Sequence, residues 1–226
     1  IWRLTQGAVH ATDVTNASRT LLYPLDLRED ATWSSSMAEL LNVPLSLLPD
    51  VLPSGARFGE TDASLFGRAI PIFSAIGAQQ AALVGQACLA PGTAKITYGT
   101  GAFLVANTGQ ERPVSANRLL GTLGYATAGG SSAYALEGAI FNAGTVVQWL
   151  RDDLGLISDA AESEARAAAL PDNGGVYLVP AFTGLGAPHW EAGARGTITG
   201  LTRGAGADHI VRAGLEAAAY QTYDLL

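Results

Sequence analysis

The sequence is poor in positive charge and in cysteine, and it contains a single lysine. Its Lys and Arg total is 13 against 20 acidic residues, a net charge of −7, and the one lysine, Lys95, leaves twelve scattered arginines. Backbone recognition of nucleic acid needs clustered positive charge, so we expect no nucleic-acid partner. The one cysteine, Cys88, permits no internal disulfide. It suits a reducing cytoplasm, and we expect it to be buried as a small apolar residue.

Between Arg68 and Lys95 the sequence carries no charge, but prolines, glycines and glutamines interrupt this stretch. We therefore predict a buried strand in "AIPIFSAIG", then a turn and a closely packed helix in "GAQQAALVGQ", rather than a membrane span. The chain opens with Ile1-Trp2-Arg3-Leu4, without an initiator methionine or a signal-type leader. We expect it to be a segment of a longer protein.

Strands followed by helices recur in two halves, which predicts an α/β fold with mixed sheets. The turn signal Ala90-Pro91-Gly92 places a domain boundary near residue 90, dividing the chain into 1–90 and 91–226. In the first half, the spacing of Trp33, Met37 and Leu40 predicts an amphipathic helix with Asp30 as its N-cap. In the second half we predict strands over 94–98, 101–107, 119–126 and 132–136, and helices over 138–153, 158–170 and from about 207.

Several motifs of known chemistry are missing. The sequence has no phosphate-binding loop before Lys95, no Gly-x-Gly-x-x-Gly and no Gly-x-Ser-x-Gly. The histidines at 10, 189 and 209 are far apart, so we expect no metal site built by the protein. "TYGTGAF" is more informative, because a Gly-Thr-Gly tip between strands either binds an anion with its amides or is an ordinary hairpin.

Gly144 falls inside the predicted helix 138–153, where glycine costs about 1 kcal/mol relative to alanine. Its absent side chain makes room for another helix or for a ligand such as a nucleotide. Gln148 lies one turn later on the same side of that helix and is within reach of the same ligand.

Six segments together resemble the FGGY family of carbohydrate kinases, in particular its members that phosphorylate glycerol. In the family's order, over essentially the whole chain, they are "TQGAVHATDVTNASRT", "GAQQAALVGQ", "KITYGTGAF", "YALEGAIFNAG", "VPAFTGLGAPHW" and "ARGTITGLTRG". The last belongs to what looks like the family's carboxyl-terminal signature, although Gly214 stands where a larger residue is usual.

The resemblance implies an actin-like ATPase fold with two domains of the ribonuclease H type, between which ATP and a polyol meet. Residues 1–90 would then be the end of the polyol-binding domain, and 91–226 an incomplete nucleotide-binding domain. It also implies Mg²⁺ bridging the nucleotide phosphates rather than held in a protein cage. Glycerol or a similar polyol is the expected partner, and we expect a cytoplasmic homo-oligomer.

Carried over position by position, the resemblance assigns roles to single residues. Ala78 stands where the family has the aspartate that accepts the proton of the attacking hydroxyl. Gln79 matches a polyol-binding glutamine, and Phe103 an aromatic residue that packs against the polyol carbons. The expected nucleotide contacts are Thr100, Gly101, Gly144 and Gln148.

Alanine at position 78 can neither orient a hydroxyl nor take its proton, so the resemblance implies impaired turnover. The substitution fits an inactivated kinase, a kinase using another base, or a regulator that binds nucleotide or polyol without turnover. Glu60, Asp62 and Glu137 are the nearby acids, and we expect Glu137 to precede a helix and favour its positive end. A kinase for another polyol or sugar is a further alternative to one for glycerol.

Overall fold

The computed structural model describes residues 1–25 and 31–226. Within these residues the chain forms two compact units, which are described separately. The first comprises Ile1–Lys95, Val105–Ser115 and Leu120–Glu137, and the second comprises Ile96–Leu104, Ala116–Leu119 and Gly138–Leu226.

Short elements dominate the first unit. In chain order they are β1 (Ala11–Asp13), α1 (Val14–Ala17), α2 (Ser35–Leu40), β2 (Asp50–Leu52), β3 (Gly59–Glu60), α3 (Ala63–Phe66), β4 (Pro71–Ile72) and α4 (Ala78–Gly85). Strands β1 and β2 pair in parallel, and β3 and β4 pair antiparallel. The predicted helix over "AQQAALVG" is confirmed as α4.

A four-stranded sheet follows, as the sequence predicts. Its strands are β5 (Ala94–Tyr98), β6 (Ala102–Gly109), β7 (Leu120–Ala126) and β8 (Ser132–Ile140), in the order β5-β6-β8-β7. Strands β7 and β8 are antiparallel, with a shift of register between Leu123 and Tyr125. Cys88 is buried with Leu83, Val105 and Ala135, which confirms its expected burial as a small apolar side chain.

The second unit is built around three helices and a two-stranded ribbon. These are α5 (Gly144–Asp152), α6 (Glu162–Ala168), the antiparallel pair β9 (Tyr177–Val179) and β10 (Thr197–Thr199), and α7 (Ala207–Leu225). Its main core includes Val146 and Leu150 of α5 and Val211 of α7. A Cβ on Gly214 would lie 2.9 Å from Leu150 Cδ1, so glycine lets the backbone of α7 approach α5 closely.

Two local predictions are wrong, and a third concerns a residue that the structure does not describe. "AIPIFSAIG" is not a buried strand, because only Pro71 and Ile72 pair with the two-residue β3, and Phe73 is 63% exposed. The helix predicted over 138–153 begins only at Gly144, because β8 continues as a buried strand to Ile140. The predicted N-cap Asp30 lies outside the described residues, and Ser34 caps α2 by accepting from the Met37 N–H.

Among residues 1–25 and 31–226, no helix combines the length and the apolar character that crossing a bilayer requires.

Candidate functional site

The two adjacent glutamines in the turn that begins α4 differ in their burial. Gln80 is 3% exposed, and its amide donates to Thr122 Oγ1 at 3.3 Å. A Cβ on Gly77 would lie 2.7 Å from Gln80 Oε1, so glycine at 77 leaves room for this position of the Gln80 side chain. Ala78 is exposed and Gln79 is half-buried. Gln80 therefore holds the turn, while 78 and 79 are the positions from which a ligand could be reached.

The buried carboxylate of Asp13 stabilises this turn. Asp13 is fully buried at the end of β1 and caps α1, accepting from the Thr15 and Asn16 backbone N–H groups at 3.0 and 3.1 Å. Its side chain also accepts from Thr15 Oγ1 at 2.6 Å, Asn16 Nδ2 at 2.6 Å and Ser54 Oγ at 2.7 Å. Five donors suit a carboxylate, which only accepts.

Thr15 connects Asp13 to the turn by hydrogen bonds. Its hydroxyl donates to Asp13 and accepts from the Gly77 N–H at 2.9 Å. The start of α4 is thus fixed relative to β1 through one side chain. Sequence reasoning missed Asp13 and Thr15, although aspartate in "TDVTN" is a residue type that caps helices.

Charged side chains lie beside Gln79 in the same unit. Lys95 of β5 is 5% exposed, and its Nζ donates to Gln79 Oε1. Burial lowers the pKa of Lys95, and the nearby charge of Glu137 partly counteracts this. Arg19 forms a two-pronged ion pair with Glu137, at 2.9 and 3.2 Å.

The prediction that Glu137 lies at the positive end of a helix is wrong. Because β8 extends to Ile140, Glu137 lies within a strand, and its side chain is 3% exposed against Arg19. The other two acids considered as replacement bases are also engaged. Glu60 pairs with Arg57, and Asp62 caps α3 by accepting from the Ser64 N–H and hydroxyl. These hydrogen bonds lower the pKa of Asp62.

In the second unit, the Gly-Thr-Gly hairpin is joined to the start of α5 by backbone hydrogen bonds. The Gly144 N–H donates to the Gly99 carbonyl at 2.8 Å, and the N–H groups of residues 143 and 145 donate to the Thr100 carbonyl at 3.0 and 3.2 Å. The hairpin carbonyls thus satisfy donors that a helix start would otherwise leave without partners.

Gly144 is the first residue of α5 rather than a mid-helix residue, which corrects the reasoning from helix propensity. A Cβ at Gly144 would lie 2.5 Å from the Gly99 carbonyl oxygen. At Gly101, a Cβ would collide with the Ile140 carbonyl. The space that the missing side chains leave is therefore filled by neighbouring backbone, and both glycines are needed for the close approach of hairpin, strand and helix.

Thr100 is exposed at the hairpin tip. Within residues 1–25 and 31–226, none of the hydrogen bonds found uses its hydroxyl or its backbone N–H as donor. Gln148 is exposed on α5, one turn after Gly144, and Phe103 is half-buried in β6. Asn142, which sequence reasoning missed, orders this region by accepting from Thr145 Oγ1 and donating to Thr183 Oγ1.

Comparison with known proteins defines the class to which these features belong. The model of the N-terminal domain of the FGGY family of carbohydrate kinases matches residues 1–85, and that of the C-terminal domain matches 94–226. The chain belongs to the FGGY family of carbohydrate kinases, and its fold is the actin-like ATPase fold of that family.

Two individual relatives in this family are named as glycerol kinases. A glycerol kinase of Rhodospirillum centenum is 58% identical over 226 residues, covering 100% of this chain and 45% of the relative. The crystal structure of Plasmodium falciparum glycerol kinase with ADP has a TM-score of 0.87 and 39% identity, covering 99% of this chain and 44% of that one. The chain thus spans less than half the length of these relatives.

A more distant structure supports the fold alone. The xyloylose kinase from Brucella ovis has a TM-score of 0.83 at 19% identity and covers 100% of this chain and 46% of its own. Members named for different sugars and polyols therefore share this backbone, so the fold by itself does not select a substrate.

Proposed function

We propose that this chain is the central part of an ATP-dependent kinase that converts glycerol to glycerol 3-phosphate. The 58% identity to a protein named glycerol kinase supports this reading over a kinase for another sugar. The observation that carries it is the exposed Ala78 beside the half-buried Gln79 at the start of α4, on a turn held by Thr15 and Gln80. Such a fixed turn suits the orientation of a small hydroxylated substrate.

On the polyol side, Gln79 offers an amide to a hydroxyl, and Phe103 an apolar face to the carbon skeleton. Ala78 occupies the position of the family's proton-accepting aspartate. In the transfer, a glycerol oxygen forms a bond to the γ-phosphorus, the bond from that phosphorus to ADP breaks, and the hydroxyl proton passes to a base or, where the base is missing, to water. The methyl group of Ala78 cannot take that proton, so we propose impaired turnover.

On the nucleotide side, Thr100 supplies hydroxyl and backbone donors to the phosphates, and Gly101 keeps the hairpin in place. Gly144 begins α5 and Gln148 lies one turn later on it, and we place a further part of the nucleotide beside them. The exposed Thr100 donors fit an anionic group, because phosphate oxygens need short N–H or O–H donors. When bound with ATP, Mg²⁺ would neutralise phosphate charge.

The remaining assignments belong to the same proposal. We place the domain boundary near residue 90, with the polyol-binding domain before it and the nucleotide-binding domain after it. The matches to the N-terminal and C-terminal family models, which end at 85 and begin at 94, support this position. We also propose a cytoplasmic homo-oligomer.

The proposal is tested by transplanting this chain into the matching segment of the Rhodospirillum centenum relative. The chimera carrying Ala78 should release ADP in the presence of glycerol at a rate about 10² to 10⁴ lower than the chimera carrying Ala78→Asp. Ala128→Asp adds the same carboxylate at an exposed position elsewhere and should leave the rate unchanged. Equal rates for Ala78 and Ala78→Asp would reject the role assigned to this position.

A second candidate is a regulator that binds nucleotide or polyol without phosphoryl transfer, which Ala78 itself favours. Binding of ADP by the chimera, with no transfer to glycerol even in Ala78→Asp, would support the regulator. Competition among glycerol, xylulose and other polyols in the active variant decides the substrate. Preference for a pentulose would replace glycerol in the proposal.

A further inference from the structure

The single lysine of the chain is buried where exposed lysine is the rule. Lys95 is 5% exposed, whereas all other positive side chains in the sequence are arginines. Its Nζ donates to Oε1 of Gln79, the residue proposed to bind the polyol. A buried ammonium group is costly, so its pairing with a neutral amide beside a proposed substrate position calls for an explanation.

Burial and neighbouring charge act on Lys95 in opposite directions. Burial lowers the pKa of Lys95, and the charges of Glu137 of β8 and of Cys88 partly counteract this. Arg19 holds the Glu137 carboxylate from the other side at 2.9 Å. Glu137 thus pairs with Arg19 and acts on Lys95 through its charge, while Lys95 donates to Gln79.

We propose that Lys95 is a positioning residue that fixes the orientation of the Gln79 side-chain amide. An amide can turn by 180° and exchange its acceptor oxygen for its donor NH₂ group. With Oε1 engaged by an ammonium group, the NH₂ group is the part left for the substrate. Gln79 then acts as a donor to a hydroxyl oxygen, and that hydroxyl keeps its own hydrogen for another acceptor. This inference rests on the proposed polyol-binding role of Gln79.

Lysine suits this task better than arginine. Its ammonium group is compact and has three donors, so it can serve Gln79 and its other contacts from one point within a strand. The planar guanidinium group needs more room and favours two-pronged binding to a carboxylate, as Arg19 shows with Glu137. Lys95→Arg therefore keeps the charge but not the fit.

The first test needs no substitution at Lys95. Because the chain has one lysine, isotope labelling of lysine side chains gives one Cε signal, whose pH titration reports the pKa of Lys95 alone. The Gln79 Nε2 signal, assigned with Gln79→Asn, should shift with the same midpoint, below the usual lysine value. A chemical shift of Gln79 Nε2 that does not change as Lys95 titrates would overturn the proposal.

A neighbouring cysteine supplies the control for this titration. Cys88 acts electrostatically on Lys95, and Cys88→Ser should leave the shared midpoint in place. A midpoint that disappears with Cys88→Ser would assign the Gln79 shift to the thiol and contradict the role of Lys95.

The second test measures glycerol and ADP affinity in the chimera by calorimetry. Lys95→Met should weaken glycerol binding by about tenfold and leave ADP binding unchanged, and Lys95→Arg should recover part of the loss. Arg57→Met removes a positive charge from an exposed pair and should change neither affinity. In the double variant with Gln79→Ala, Lys95→Met should add no further loss.

Independent, additive losses from Lys95→Met and Gln79→Ala would overturn the positioning role. If the unaltered chimera binds no glycerol, the proposed function fails, and the titration still decides whether Lys95 orients Gln79. The same titration decides the matter if Lys95→Met does not fold, because it uses the unaltered lysine.

Discussion

Replacing Gly144 with alanine would test the contact between the Gly-Thr-Gly hairpin and α5. The new Cβ would lie 2.5 Å from the Gly99 carbonyl oxygen, so backbone must retreat by about 1 Å to reach an ordinary contact of roughly 3.5 Å. Overpacking of this kind costs about 1 to 3 kcal/mol. Weakening the 2.8 Å hydrogen bond from Gly144 to Gly99 adds about 0.5 to 1.5 kcal/mol.

The helix preference of alanine over glycine returns at most about 1 kcal/mol, and less at the first residue of a helix. We therefore expect Gly144→Ala to lower the free energy of unfolding by about 2 kcal/mol. Urea unfolding followed by far-ultraviolet circular dichroism measures this change. Gly85→Ala is the matched control, because a Cβ there meets nothing within 4 Å, and its stability should be unchanged or slightly higher. Equal stabilities for the two variants would refute the reasoning.

Three further substitutions test other parts of the account. Asp13→Asn removes one or two charge-assisted hydrogen bonds from a fully buried network, so urea unfolding should show a loss of about 2 to 5 kcal/mol. Arg19→Met removes the positive charge that pairs with the buried Glu137 carboxylate. Because Arg19 is half-exposed, we expect a loss of only about 1 to 3 kcal/mol in the free energy of unfolding in the same assay. Hydrogen bonds from the Ser158 N–H and hydroxyl, and from Arg166, lower the pKa of Glu162 to about 2. Its stabilisation is present above the unfolded value of 4.5 and is lost as the pH falls towards 2, so Glu162→Gln should flatten acid unfolding curves in that window. Losses below about 0.5 kcal/mol for the first two, or an unchanged acid slope for the third, would contradict these assignments.

Elements with a strong local pattern were predictable from the sequence. The four strands of the central sheet and α4 follow from alternation, turn residues and small apolar runs, and the structure confirms them. The buried place of Cys88 follows from its chemistry. Local pattern was not sufficient where pairing with another strand determines the structure. "AIPIFSAIG" is apolar enough for a buried strand, but among the described residues only β3 pairs with it, over two residues.

In the candidate site, too, some features could be predicted from the sequence and others could not. The family's motifs locate Gln79 and Thr100, but they do not show that Gln80 packs inward or that Lys95 contacts Gln79. These facts depend on contacts between residues 16 or more positions apart in the chain. Gly144 illustrates the limit, because its need for glycine comes from the carbonyl of a distant hairpin rather than from helix propensity.

The most direct test of the central claim is a crystal structure of the chimera with ADP and glycerol bound. The account predicts a phosphate oxygen within about 3.2 Å of the Thr100 hydroxyl or backbone nitrogen, and a glycerol oxygen at a similar distance from Gln79 Nε2. Ligands bound away from Thr100 and Gln79, or a glycerol oxygen facing Gln79 Oε1, would contradict it.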